Sequence, residues 1–180
     1  MRARISTNIT ATLIPALLLA GTLAGCNSGG AGDKPAGTNP SASGKPATAA
    51  AVSCAVAPAS MVNAALGTNV GDPQEQLVGH GAVCRYAPVA GAKGNVIVRI
   101  QTDTTRALFD QGRATSDSSG LPTTNLPGFE DAAYTSTISA GSVTTNTVVA
   151  LKGTVQILVS SPATFDKEKA LEQQLFAAFS

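Results

Sequence analysis

Tryptophan is absent from this 180-residue chain, and histidine occurs once, at His80. One imidazole cannot build a multi-histidine metal site. It also sits in Gly79-His80-Gly81, where glycine neighbours hold no geometry for general-base work. We read His80 as an exposed loop residue, and expect no catalytic residue, no metal and no cofactor. Charge is scarce as well, with 12 Lys and Arg against 11 Asp and Glu. No block of basic residues stands out, which argues against nucleic acid as a partner and against polybasic attraction to anionic lipid. The catalytic signatures Gly-x-Ser-x-Gly, His-Glu-x-x-His, Ser-x-x-Lys and Cys-x-x-Cys are all missing.

What is present begins with a leader. Arg2 and Arg4 precede an apolar run from Ile9 through Leu13-Ile14 and Ala16-Leu17-Leu18-Leu19-Ala20. The run is shorter than the roughly 20 apolar residues of a membrane span, and Pro15 would be awkward in a packed helix. Small residues close it at Leu23-Ala24-Gly25-Cys26. This order of charge, apolar run and small residues is that of a secretory signal peptide. The four closing residues also resemble the lipobox of bacterial lipoproteins. That resemblance implies cleavage before Cys26 and a lipid on its thiol; the alternative is an ordinary secretory peptide with a chance cysteine. More than one acyl chain makes such an anchor stable, at about 0.8 kcal/mol per buried CH₂. The expected organisation is a signal peptide over residues 1–25, a lipidated Cys26 with a disordered tether over 26–51, and one globular domain over 52–180. Asn27 to Ala51 is Gly, Ser, Ala, Thr and Pro with a few charges, too polar to offset its own ordering entropy. Loss of Arg2 and Arg4 leaves ten basic against eleven acidic side chains.

Of the three cysteines, Cys26 is assigned to lipid, which leaves Cys54 and Cys84. Two remaining cysteines in an oxidising compartment are most often bonded. The loop they close is worth roughly 3–4 kcal/mol in the chain-entropy model. A metal role lacks further ligands, and a catalytic-thiol role lacks a partnered histidine.

Along the domain, Pro58 to Gly67 reads as a short helix, with proline in its first turn and glycine past its end. Gly71 to Gly81 reads mostly as loop. Ala82 to Ala87 reads as a strand and Ala90 to Gly94 as its connection. The next strand, Asn95 to Thr102, has Val96, Val98 and Ile100 on one side and Ile97, Arg99 and Gln101 on the other. Asp103 or Thr104 is expected to cap a helix through Ala107-Leu108-Phe109 to about Gln111 or Thr115. Ser116 to Asp131 reads as a long irregular segment holding Leu121, Leu126 and Phe129, either a flap packed over the core or a binding rim. Ala133–Ser139, Ser142–Leu151 and Thr154–Ser160 read as strands joined at Ala140-Gly141 and Lys152-Gly153. Pro162-Ala163-Thr164 opens a closing helix to about Phe179, with Leu171, Leu175, Ala178 and Phe179 as its stripe and Phe176 at the margin. Glu168 and Glu172, spaced i,i+4, read as solvated like charges rather than a catalytic pair.

Helix, two strands, helix, three strands and helix predict an α+β fold, a mainly antiparallel sheet packed by two to three helices, with one disulfide. The parts resemble the small cell-envelope lipoproteins of unknown function common in actinobacteria. The resemblance rests on the lipobox and tether, Cys54 before a helix ending in Ala65-Leu66-Gly67, Cys84-Arg85-Tyr86 in a strand, and Gly128-Phe129-Glu130-Asp131-Ala132-Ala133-Tyr134. It implies an antiparallel sheet packed by helices and a Cys54–Cys84 bridge, and supplies no catalytic residues. The expected function is a non-catalytic ligand- or partner-binding module of the cell envelope. It would be monomeric, and held on the extracytoplasmic face of the cell membrane by lipid on Cys26. Its partner would be an envelope protein, a lipid-linked molecule or a small-molecule ligand. The alternatives are an envelope-acting hydrolase or transferase, and a purely structural or inhibitory surface protein.

Overall fold

Pro58 and Gly67 bound a helix as the sequence predicts. In the computed structural model, which describes residues 52–180, α1 runs Ala59–Leu66 with Pro58 as its N-cap. Gly67, at φ +67°, ends it in the left-handed conformation that glycine adopts without strain. The leader, Cys26 and the tether over 26–51 lie outside the described residues.

Seven strands follow: β1 (Gln74–Val78), β2 (Gly81–Tyr86), β3 (Val96–Gln101), β4 (Thr123–Asn125), β5 (Ala132–Ala140), β6 (Val143–Lys152) and β7 (Val155–Ser161). They form one antiparallel sheet in the order β1-β2-β3-β7-β6-β5-β4. The two longer helices are α2 (Arg106–Ser118) and α3 (Phe165–Phe176), the latter followed by a 3₁₀ turn at Ala177–Phe179. This is the expected α+β architecture. Three hairpins turn on Gly79-His80, Gly141-Ser142 and Gly153-Thr154, each with its glycine at positive φ. A glycine at the first of two loop residues is what a type II′ hairpin requires.

Register sorts the side chains onto two faces. Cys84, Val98, Val159 and Val148 align across β2, β3, β7 and β6, and Ala82, Ile100, Ile157, Ala150 and Ala133 form the next row. All of them are buried. All but Val148 join Val62 and Leu66 of α1 and Leu171, Leu175 and Phe176 of α3 in the main core. Among the described residues the opposite face carries only α2, whose Phe109 packs on Tyr134, Val149 and Leu151.

Four expectations are corrected. Gln74 to Val78 is an edge strand rather than loop, exposed along its whole length, so it carries none of the apolar alternation that announces a strand. The cap of α2 is Thr105, whose hydroxyl accepts from the Leu108 N–H at 3.3 Å; Asp103 instead turns the chain at φ +60°, and Thr104 is buried. That helix passes Gly112 and reaches Ser118, so Ser116 to Asp131 is part helix and part strand β4. In the closing helix Phe176 is fully buried and Ala178 exposed.

Among the described residues no helix is long and apolar enough to cross a membrane.

Candidate functional site

The sheet face left partly open by α2 holds an apolar groove. Its side chains follow from strand alternation, because residues two apart share a face. β3 contributes Ile97 and Arg99, β7 Leu158 and Ser160, β6 Thr147 and Val149, and β5 Tyr134, Ser136 and Ile138. Val83 of β2 closes one side, and Ser116 of α2 with Leu121 just beyond it closes the other. The groove encloses about 280 Å³, near the lower end for small-molecule sites.

Its wall is braced. Phe109, Arg113 and Ser116 lie at i, i+4 and i+7 on α2, which places them on one helix face. The Phe109 ring packs 5.3 Å from that of Tyr134, and the Arg113 guanidinium lies 6.0 Å above the Tyr134 ring. Arg113 also donates to Thr123 Oγ1 and Asn125 Oδ1, both at 2.9 Å. Asp117 accepts from the Thr123 N–H at 2.7 Å and from its hydroxyl at 3.1 Å. These contacts fasten the C-terminal half of α2 to β4, and the Leu121 N–H donates back to the Ser116 carbonyl at 3.0 Å. Two polar floor groups satisfy each other, Thr147 Oγ1 donating to Ser160 Oγ at 2.9 Å. Burial raises the Tyr134 phenol, with Ser116, Arg113 and Arg99 opposing, so it stays protonated at neutral pH and is no nucleophile. Arg99 is the one charged side chain of the lining.

The second unusual place lies on the core face. Glu168 and Glu172 of α3 are both fully buried, which corrects their reading as solvated. With Leu171, Leu175 and Phe176 they occupy the inward stripe of the helix. Ser161 donates to Glu168 Oε1 at 2.7 Å and accepts from the Ala163 N–H at 3.0 Å. The second Glu168 oxygen and both Glu172 oxygens have no hydrogen-bond partner. Burial pushes the Glu168 carboxyl up to about 8, against the Ser161 bond. Burial, then the Glu168 carboxylate beside it, pushes Glu172 well above the ordinary range; the Val159 main chain opposes this without reaching hydrogen-bond geometry. Two protonated acids sealed from solvent cannot touch a substrate.

The sequence-predicted residues are distributed as follows. Cys54 and Cys84 form a disulfide, S–S 2.01 Å and Cα–Cα 5.6 Å. Leu121 lines the groove and is 37% exposed. Leu126 and Phe129 pack instead against the main core and line a smaller hollow of about 120 Å³ beside α2. The three therefore do not form one rim. His80 is exposed in its hairpin turn, with Nδ1 3.3 Å from the equally exposed Asp103 carboxylate, a contact of little energetic weight. Among the described residues no cluster of three or more His, Cys, Asp or Glu side chains is placed to hold a metal ion. Sequence reading missed the groove, although Ile97 and Leu158 on the nominally polar side of their strands are its signal, since a solvated sheet face reads polar.

Comparison with known proteins gives no match: no family model, no curated protein and no solved structure is similar to the chain.

Proposed function

We propose that the chain is a lipid-anchored envelope lipoprotein whose domain binds a ligand without transforming it, in the groove between α2 and the open sheet face. The observation that carries the binding site is the groove itself: an apolar trough with braced walls and no nucleophile paired with a base. Anchoring is supported by Leu23-Ala24-Gly25-Cys26 and by the resemblance to actinobacterial envelope lipoproteins. An anchor at Cys26 would leave only 25 residues, Asn27 to Ala51, between the lipid and the domain, and so hold the domain close to the bilayer. A hydrolase or transferase reading has less support, because the paired carboxylates Glu168 and Glu172 face the core rather than the groove.

Thr147→Trp tests the binding site. Thr147 is half-buried on the groove floor, and an indole there would fill the trough while leaving the main core untouched. Native mass spectrometry of the membrane-extracted chain should find a non-covalent small molecule that the variant has lost, at an unchanged melting temperature. A wild-type chain and a variant that carry the same molecule would remove the groove from consideration.

Cys26→Ala tests the anchor. It should leave the chain unprocessed or move it from the membrane to the soluble fraction. Mass spectrometry of a mature chain beginning elsewhere and carrying no lipid would defeat the anchoring reading.

A further inference from the structure

The occupant of the groove has a chemistry that the lining specifies; this inference rests on the binding-module reading. We propose that the groove takes the apolar chain of an anionic amphiphile drawn from the bilayer, with its head group at the Arg99 guanidinium. Register sets Arg99, Leu158, Val149 and Tyr134 in one row across β3, β7, β6 and β5, all on the groove face. Three strand spacings make that row about 14 Å long, from the Arg99 guanidinium over the apolar Leu158, Val149 and Tyr134 ring, which suits a chain with a charged head. Arg99 stands at the β3 side, and no carboxylate lines the groove. Among the described residues its guanidinium donates only to the neutral amide of Gln101. Arg85 lies on the same face, aligned with Ile97, and donates to the neutral amide of Gln76. Asp117, the acid on the neighbouring stretch of α2, is already committed to Thr123. An anion reaching Arg99 would form charge-assisted hydrogen bonds, the strong kind; a cationic head there would face the like charge of Arg99.

The far end of the groove leads outward. Ile138 and Val143 sit on the same face near the tip of the β5–β6 hairpin, 44% and 41% exposed. Beyond Ser136 and Thr147 they set apolar side chains at the edge of the molecule, where a chain can leave a membrane surface and enter. A protein partner suits the site less, since a stable interface needs about 800 Å² per side and the groove is a narrow trough.

The test uses the full chain in phosphatidylcholine nanodiscs and a diazirine-bearing dodecanoate as photolabel, with the labelled peptides mapped by mass spectrometry. The expected labels fall on β3, β7 and the segment around Leu121. Dodecanoate should displace them at about tenfold lower concentration than dodecyltrimethylammonium, the least that one hydrogen bond to a charged group supplies. Arg99→Gln should bring that ratio close to one, and Arg99→Lys should restore part of it. Groove labelling with no head-group preference, or a preference untouched by Arg99→Gln, overturns the anionic ligand while leaving a binding groove. Labels confined to the α1–α3 face overturn the proposal, and the binding-module reading then stands or falls on the Thr147→Trp comparison.

Discussion

Replacing both cysteines by alanine is expected to lower the stability of the domain by about 3–4 kcal/mol. The bridge joins residues 30 apart in sequence, and a loop of that length loses about 3.5 kcal/mol of denatured-state entropy in the chain-entropy model. Packing adds to this, because Cys54 and Cys84 are both buried within the main core. Cys54 opens a 3₁₀ turn ahead of α1, and its N–H donates to the Glu75 carboxylate on β1. The bridge thus holds the N-terminal segment against β2, in parallel with the Tyr86 hydroxyl bonded to the Ala57 carbonyl. For a domain of about 130 residues the melting temperature should fall by about 10 °C or more. Single substitutions should cost a similar amount. Amide exchange should rise first over residues 54–66, which then stay attached through the Cys54–Glu75 and Tyr86–Ala57 hydrogen bonds and the packing of Val62 and Leu66. Two free thiols in natively purified protein, or a melting temperature unmoved in the double variant, would refute this.

The fold was legible where local rules and burial agree. Pro58 and Gly67 mark α1 through backbone restrictions that act regardless of tertiary context. In β3 the buried Val96, Val98 and Ile100 alternate with more exposed neighbours, so its period was visible. β1 was not visible because its five residues are exposed on a sheet edge, and an edge strand held by one partner needs no apolar side. The far end of α2 was hidden behind Gly112, whose modest helix penalty is outweighed by Phe109 packing and by the Arg113 and Asp117 bonds to β4. Those bonds join segments that no helical period connects.

The groove was less legible still, since Val83, Ile97, Tyr134, Val149 and Leu158 come from five different strands. Each strand showed only one to three apolar residues on its outer side, and only the register assembles them. Ser116 to Asp131 was singled out for its apolar residues, and the structure sets them in different places. Leu121 meets the groove, whereas Leu126 and Phe129 pack on the core. The paired glutamates misled for an opposite reason. Like charges at i,i+4 are ordinarily solvated, yet here they occupy the inward stripe with Leu171, Leu175 and Phe176, where only protonation makes burial tolerable.

That protonation gives the domain an alkaline weakness. An ordinary glutamate near 4.5 ionises in the unfolded chain, while buried Glu168 holds its proton to about 8 and Glu172 is raised further by its neighbour. Below about pH 4.5 both states are protonated, and the pair does not discriminate between them. Above it the unfolded state releases protons that the folded state keeps, so stability falls as pH rises. For Glu168 the loss is complete once pH passes its folded value near 8, and amounts to at most about 5 kcal/mol. A whole domain is stabilised by only about 5–15 kcal/mol, so an effect of even half that size is readily measured. The charged groups nearby do not cancel it. Glu130 adds to the rise at Glu172 and is itself paired with Lys152 at 3.3 Å. Asp166 on the outer side of α3 is lowered by Lys169, which acts on the acid side and at an exposed position, where the contribution is small. Urea unfolding between pH 5 and 9 should therefore show stability falling steadily with pH. Glu172→Leu replaces a carboxyl that has no partner by an apolar side chain of similar volume, which is neutral or stabilising when no other polar group is orphaned. It should remove much of the slope and leave the variant more stable than the natural chain at pH 8. Glu168→Gln should flatten the slope as well, with a smaller gain because its amide must still accommodate the Ser161 hydroxyl. A natural chain whose stability is level from pH 5 to 9, or a Glu172→Leu variant less stable than the natural chain at pH 8, would show that the two carboxyls are ionised and solvated in the folded protein.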